Sequence, residues 1–194
     1  VTDRWTTCLM DPPWPEHGGG KSKRGADRHY PLVKVKDMLA TITLSGAWNP
    51  ADNAHLYMWV TDNYLWDGLR LMGDLGFRFV RTWVWVKLKA DEDTGLSDDA
   101  LADAMTSGLG QYARGQHELL LFGVRGDGLA VRTAARDIGS VLPAIRTRHS
   151  AKPRMVHDLV EARSHGPWIE MFARSERPGW RSWGNEIAAS KGSE

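Results

Sequence analysis

The sequence predicts an α/β fold, a mostly parallel sheet with helices on both faces. Three observations predict it. Continuous apolar runs at Thr7-Cys8-Leu9-Met10, His55–Val60 and Glu118–Val124 have the length and composition of strands buried on both faces. Segments with helical spacing, at 35–44, 64–75 and 153–162, alternate with such strands. The chain has 194 residues, 42% of them hydrophobic, which suffices for the core of one domain spanning 1–194.

Each element has its own justification. The first strand ends at Met10. A loop is predicted from 16 to 29, because Gly18-Gly19-Gly20 cannot hold regular structure, and Lys21, Lys23, Arg24, Arg28 and His29 make it basic. Val35 to Leu44 has helical spacing. His55-Leu56-Tyr57-Met58-Trp59-Val60 reads as a buried strand. Tyr64 to Leu75 reads as a helix with Leu65, Leu69, Met72 and Leu75 on one face and Gly76 as its C-cap. Phe77 to Val86, rich in aromatics and valines, is strand-like. Lys89 to Gly110 is polar, acidic and glycine-containing, and is expected to be a mobile insertion. Glu118 to Val124 is a buried strand closed by Arg125-Gly126. Pro153 to Ala162 reads as a helix with proline in its first turn. Trp168 to Phe172 is a strand, followed by a tail rich in proline, glycine and tryptophan. Ligands of such sheets sit at the carboxyl ends of strands. Asp11 and the Ala173-Arg174 step both fall there.

Composition narrows the function classes. A formal net charge of +1 is too small for a protein that grips nucleic acid by overall charge, so such binding needs a local basic patch or a partner. One cysteine, Cys8, in an apolar run provides neither a disulfide framework nor a thiolate metal site. The seven histidines lack metal-ligand spacing, and His117-Glu118 lacks the second histidine of a zinc-protease motif. No metal is expected. No apolar run reaches a membrane span and no signal-peptide pattern opens the chain, so a cytoplasmic protein without membrane contact is expected.

The chemistry-bearing motif is Asp11-Pro12-Pro13-Trp14, directly after the first strand. A carboxylate and a backbone carbonyl that accept both N–H bonds of a planar amino group draw its nitrogen toward a nucleophilic geometry. Proline fixes φ and so aims its carbonyl, and an aromatic side chain can hold a ring face. The arrangement suits methylation of a weakly nucleophilic aromatic amine. A proline-rich turn is the plainer reading of these four residues.

Other landmarks follow in order: His29-Tyr30-Pro31, Leu56–Thr61, Val84-Trp85-Val86-Lys87, Gln116–Leu121 leading to Gly123–Gly126, and His149–Pro153. Ile169–Arg174, Gly179-Trp180 and Trp183-Gly184-Asn185-Glu186 complete the series. With the motif at 11–14 they resemble the DPPW-type N6-adenine methyltransferase family, which includes the catalytic subunit of the eukaryotic mRNA adenosine methyltransferase. The resemblance runs from residue 7 to 186. It implies a Rossmann-like methyltransferase fold with permuted motif order, catalytic motif first and cofactor strand last. It also implies S-adenosylmethionine as methyl donor and methyl transfer to the N6 amino group of adenine, with DNA the expected substrate.

Carried over residue by residue, the resemblance makes Asp11, Pro12, Pro13 and Trp14 catalytic. Asp11 and the Pro12 carbonyl bind the amine, and Trp14 stacks on the base. Asp11, Lys152, Arg174, Asn185 and Glu186 face the cofactor. Lys152 pairs with its carboxylate, Arg174 and Asn185 contact the ribose, and Glu186 lies near the adenine. Lys21, Lys23, Arg24, Arg28, His29 and Tyr30 join Trp14 in binding substrate, the loop closing over a flipped base and contacting phosphates. Arg146, Arg148, His149 and Arg154 form a second basic cluster. The short chain, without RNA-binding extensions, favours DNA over RNA and a bacterial or phage branch. RNA methylation and a catalytically silent nucleic-acid-binding member are the rivals. Monomer and homodimer both fit.

Plainer readings stand beside these. Lys152 before Pro153 could be a solvated residue opening a helix, Arg174 a surface residue, and Glu118 the holder of a structural partner. Trp180 and Trp183 read as packing residues. Gly108-Leu109-Gly110-Gln111-Tyr112-Ala113 matches a loose dinucleotide pattern, but it follows a polar insertion rather than a strand.

Overall fold

The computed structural model describes residues 4–15, 33–89, 105, 112–135, 137–146 and 151–187. Seven strands form one sheet: β1 (Trp5–Met10), β2 (Pro50–Val60), β3 (Arg78–Leu88), β4 (His117–Arg125), β5 (Val141–Ile145), β6 (Trp168–Met171) and β7 (Trp180–Trp183). Their spatial order is β5-β3-β4-β2-β1-β6-β7. The pairs β1–β2, β1–β6, β3–β5 and β6–β7 are parallel. β4 runs against both neighbours, β2 and β3. The sheet is thus mostly parallel, and the sixth strand in sequence lies beside the first, as a permuted Rossmann-like methyltransferase fold requires.

Helices α1 (Val35–Thr43), α2 (Leu65–Asp74) and α3 (Met155–Arg163) cover both faces. One core joins Met38 and Ile42 of α1 and Leu71 and Met72 of α2 to Cys8, Met10, Leu56, Met58, Leu121, Ile169 and Met171. The other joins Val156 and Val160 of α3 to Leu9, Tyr57, Trp59, Trp83, Trp85 and Leu120. Side chains alternate across a strand, so neighbours such as Leu120 and Leu121 enter different cores. Both faces being covered explains the continuous apolar runs.

Several predicted boundaries move. The strand expected from His55 begins at Pro50, five residues earlier. α2 buries Gly68, Leu71 and Met72, its C-cap Leu75 is buried beside them, and Leu65 and Leu69 are partly buried against the same core. Gly76 ends α2 with φ +84°, a left-handed conformation that glycine adopts without strain, and Phe77 N–H donates to the Met72 carbonyl in the closing turn. Pro153 precedes α3, its carbonyl accepting from Val156 N–H at 3.1 Å. β5 and β7 were not foreseen. β5 is an edge strand whose Val141, Pro143 and Ile145 face solvent, and β7 lies within the tail. The predicted insertion 89–110 lies outside the described residues except for Lys89 and Met105, the latter bridged to Leu88. No helix of the described residues is long and apolar enough to cross a membrane.

At the amino-terminal edge of the sheet a buried polar network ties the layers together. Tyr57 Oη lies 2.6 Å from Ser164 Oγ, and Ser164 Oγ lies 2.6 Å from His55 Nδ1. The other ring nitrogen, Nε2, donates to the Gly128 carbonyl at 2.7 Å. With Nε2 donating, Nδ1 accepts from Ser164 and Tyr57 donates to Ser164, so every group is satisfied with a neutral ring. Burial pulls the His55 pKa down to about 4, against the raising effect of the Gly128 bond.

Candidate active site

Six strands share one direction, so their carboxyl ends line one edge of the sheet. Asp11 follows β1 there, near the centre. β4 runs the other way, so its first residues, His117 and Glu118, reach the same edge. Trp85 and Glu118 are paired across the β3–β4 ladder, which puts Lys87, two residues on, on the face that Glu118 also occupies. Leu9 faces the α3 side, and Asp11, at the same parity, continues that face. Lys152, just before α3, descends onto it.

The outcome is a chain of alternating charges. Lys152 Nζ donates to Asp11 Oδ2 at 2.9 Å and lies 3.2 Å from Glu118 Oε2. Lys87 Nζ holds the other oxygen of Glu118, Oε1, at 2.7 Å. Beyond Asp11, Arg174 Nη2 stands 4.0 Å from Oδ2, and its Nε stands 3.8 Å from Glu186 Oε1. The order is Lys87, Glu118, Lys152, Asp11, Arg174, Glu186. The lysines rest on an aromatic floor: Lys152 Nζ lies 5.5 Å from the Trp59 ring and Lys87 Nζ 5.3 Å from the Trp85 ring. Those rings meet edge to face at 6.1 Å. Alongside, His117 Nε2 lies 3.3 Å from Asp62.

The side chains of Asp11, Glu118 and Lys152 are 22%, 15% and 20% exposed, so their charges are only partly hydrated. Burial raises the Asp11 pKa above the ordinary carboxylate value, and the charge and hydrogen bond of Lys152 only partly oppose this. Burial would raise Glu118 too, but Lys152 and Lys87 together outweigh it and bring Glu118 below its ordinary value. Lys152 is desolvated as well, yet the two carboxylates more than offset this and keep it protonated. The two neighbouring carboxylates are therefore shifted in opposite directions: two lysines hold Glu118 in its ionised form, and burial makes Asp11 more basic than an ordinary aspartate.

The turn after β1 is held from several sides. Trp14 N–H donates to the Pro12 carbonyl at 2.8 Å, and Val33 N–H to the Pro13 carbonyl at 3.3 Å. The Trp14 indole N–H donates to the Trp59 carbonyl at 2.9 Å, and the ring stacks on Tyr64 at 5.6 Å. Tyr64 O–H donates in turn to the Pro15 carbonyl at 2.7 Å. Trp14 is 5% exposed, so its ring is a packed wall of the site with little free surface for stacking on a base.

At the far end of the site, β6 and β7 are drawn together. Ala173 N–H donates to the Trp183 carbonyl at 2.9 Å. A side chain at Gly184 would strike the Ala173 backbone, so only glycine permits this approach. Asn185 and Glu186 follow, exposed at the rim. Trp180 is 8% exposed, stacks on Trp168 and donates its indole N–H to Glu161 Oε1 at 2.7 Å, which is a packing role.

The structure brings together Asp11, Lys152, Arg174 and Glu186, with Pro12, Pro13 and Trp14 adjoining. Lys21, Lys23, Arg24, Arg28, His29 and Tyr30 lie outside the described residues, as do Arg148, His149 and the dinucleotide-like segment up to Gln111. Lys87 and the contact of Glu118 with Lys152 were not assigned from sequence. The signal was there in outline. A carboxylate opening a buried strand needs a charged partner, and the alternation Trp85-Val86-Lys87 presents the lysine beside it.

The MT-A70 family model matches residues 5–186, which take in every residue of this constellation. The chain belongs to the MT-A70 family. Over 187 residues it is 27% identical to N6-methyladenosine RNA methyltransferase MTA1 of Cryphonectria parasitica (strain ATCC 38755 / EP155), covering 92% of this chain and 50% of that protein. Over 212 residues it is 27% identical to Type II methyltransferase M.MunI of Mycoplasma sp, covering 97% and 80%. Over 194 residues it is 22% identical to N6-methyladenosine RNA methyltransferase MTA1 of Pyricularia oryzae (strain 70-15 / ATCC MYA-4617 / FGSC 8958), covering 94% and 47%. The chain thus spans about half the length of the two MTA1 relatives.

Proposed function

We propose that this chain transfers a methyl group from S-adenosylmethionine to the N6 amino group of adenine in a nucleic acid. The observation that carries the reading is Asp11. It directly follows β1, the strand between β2 and β6, is partly desolvated, and is held by Lys152 in a chain of the MT-A70 family. When bound, the cofactor supplies an electrophilic methyl on a sulfonium. The donor set fits it. Arg174 and the amide of Asn185 suit ribose hydroxyls, and Glu186 suits the adenine amino group. Asp11 serves the amino group of the cofactor's amino acid end. Lys152 is already flanked by two carboxylates, so a cofactor carboxylate has to share it, with Arg174 the second cation beside Asp11.

The chain's own residues then act on the substrate amine. The Asp11 carboxylate accepts one N–H, and the Pro12 carbonyl, which keeps a lone pair beyond its bond to Trp14, accepts the other. The nitrogen lone pair is thereby turned away from the ring. Once the nitrogen carries the methyl it must lose a proton. Asp11 accepts an N–H of that amine, and burial makes it a better base than an ordinary aspartate. Trp14 and Tyr64 form a dry, rigid wall that fixes the alignment.

The sequence alone favoured DNA. The relatives give RNA the better support, since two of the three carry names of RNA enzymes and one that of a type II methyltransferase. One experiment tests both levels. Single-stranded RNA, single-stranded DNA and duplex DNA are incubated with methyl-labelled S-adenosylmethionine, digested, and resolved by mass spectrometry. N6-methyladenosine from RNA supports the RNA reading and N6-methyldeoxyadenosine the DNA reading. Label on another base, or on none, overturns the function.

A further inference from the structure

Lys87 lies outside the motif that carries the reaction, and Glu118 separates it from Lys152, so it has no direct path to the substrate amine. Its geometry nevertheless bears on Asp11. It holds Oε1 of Glu118 at 2.7 Å, while Oε2 of the same carboxylate meets Lys152 at 3.2 Å. Lys152 meets Asp11 at the shorter distance of 2.9 Å. Lys152 is thus shared unequally between two carboxylates, and Lys87 is what satisfies the one it favours less.

We propose that Lys87 is a positioning residue for methyl transfer: by holding Glu118 from behind, it leaves Lys152 free to face Asp11 and fixes that carboxylate for the amine. This rests on the function proposed above. Lys87 and Glu118 leave adjacent antiparallel strands, whose ladder fixes their spacing. The aromatic floor of Trp85 and Trp59 limits where the two ammonium groups can go. Trp85 is itself pinned by its indole N–H to the Ala144 carbonyl at 3.0 Å. Without Lys87, Glu118 keeps Lys152 as its one counter-charge among these four groups. Lys152 is then drawn toward Glu118, and Asp11 loses part of its partner.

Among the described residues, the charged groups facing Asp11 are Lys152 from the segment before α3, Glu118 from β4 and Arg174 from the turn after β6. Among the same residues, those facing Glu118 are Lys152 and Lys87. Glu186 lies beyond Arg174, and the His117–Asp62 pair stands alongside. Two substitutions therefore push Asp11 in opposite directions. Lys87→Met removes a cation and diverts Lys152, so Asp11 becomes harder to ionise. Glu118→Gln removes a competing anion and releases Lys152 to Asp11, so Asp11 becomes easier to ionise. A merely structural role for Lys87 predicts loss of thermal stability without such opposed shifts.

The test is a carbon-13 titration of the Asp11 carboxyl in the full chain, with its resonance assigned by loss in Asp11→Asn, alongside kcat against pH for methyl transfer. In Lys87→Met the Asp11 midpoint should rise by about half a unit or more, and in Glu118→Gln it should fall. In Lys87→Met kcat at neutral pH should drop about tenfold, with the acid limb moved to higher pH and KM for S-adenosylmethionine little changed. Lys87→Arg should restore both readouts in large part, and Lys87→Gln serves if Lys87→Met does not fold. An unmoved Asp11 midpoint in a folded Lys87 variant overturns the proposal, as do shifts of the same sign in both variants. The titration needs no turnover. A wild-type chain that transfers no methyl, yet shows the opposed shifts, would overturn the reaction while leaving the positioning of Asp11 in place.

Discussion

Lys152→Met puts the charge chain under the largest strain. Methionine keeps much of the stem that lies against Trp59 and removes the ammonium between Asp11 and Glu118. Removing one partner of a fully buried ion pair costs about 3–5 kcal/mol, because the other charge is left unpaired. Here the carboxylates are 22% and 15% exposed, and Lys87 still holds Glu118. Partial hydration reduces the cost to roughly 2–3 kcal/mol. For a chain of this size that is a fall in Tm of roughly 4–12 °C. Its pH dependence identifies the cause. In the wild-type chain Glu118 sits below its ordinary value, so its contribution is present above the unfolded carboxylate pKa and is lost as pH falls through the folded one. Asp11 sits above its ordinary value and costs stability at neutral pH. Without Lys152 both carboxyls move up, the cost at neutral pH grows, and it disappears once both are protonated. Thermal melts of wild type and Lys152→Met from pH 8 to pH 3.5 should therefore converge at the acid end. A constant gap across that range, or no gap at pH 8, would refute the reasoning.

Asp11→Asn should leave a folded protein whose methyl transfer, measured by label incorporation, falls about a hundredfold or more, since the base and orienting acceptor is gone. The Asp11 side chain's neutral replacement still leaves Lys152 paired with Glu118. His55 should remain neutral well below the ordinary histidine range, with an imidazole NMR titration near pH 4. Because the folded value lies below the unfolded one, stability is full above about pH 6.5 and declines as pH falls toward 4, by up to about 3 kcal/mol. Chemical denaturation at pH 7, 5.5 and 4.5 measures that slope. Neutralising Lys21, Lys23, Arg24 and Arg28 together should raise the nucleic-acid KM and flatten its salt dependence by about 0.9 per lost phosphate contact on duplex DNA, while the cofactor dissociation constant holds steady.

The apolar runs by themselves determined that β1, β2 and β4 are buried on both faces, because side-chain alternation reports burial directly. Asp11-Pro12-Pro13-Trp14 marked the reacting carboxylate, and Gly76 marked the end of α2, because both depend on local backbone chemistry. β5 and β7 escaped notice. Val141, Pro143 and Ile145 face solvent on an edge, which breaks the apolar signal, and four-residue β7 hides among turn residues. Alternation also carries no sign for strand direction. Glu118 was therefore legible as a carboxylate needing a partner, and not as a neighbour of Asp11. That depends on β4 running antiparallel, which brings its first residues to the edge where β1 ends. Lys152 likewise lies 141 positions from Asp11, and no local pattern links them. The sequence determined which groups would be charged and which strands would be buried. The tertiary structure decided which charges share a lysine, because only the packed sheet sets their distances and strips the water that would otherwise screen them.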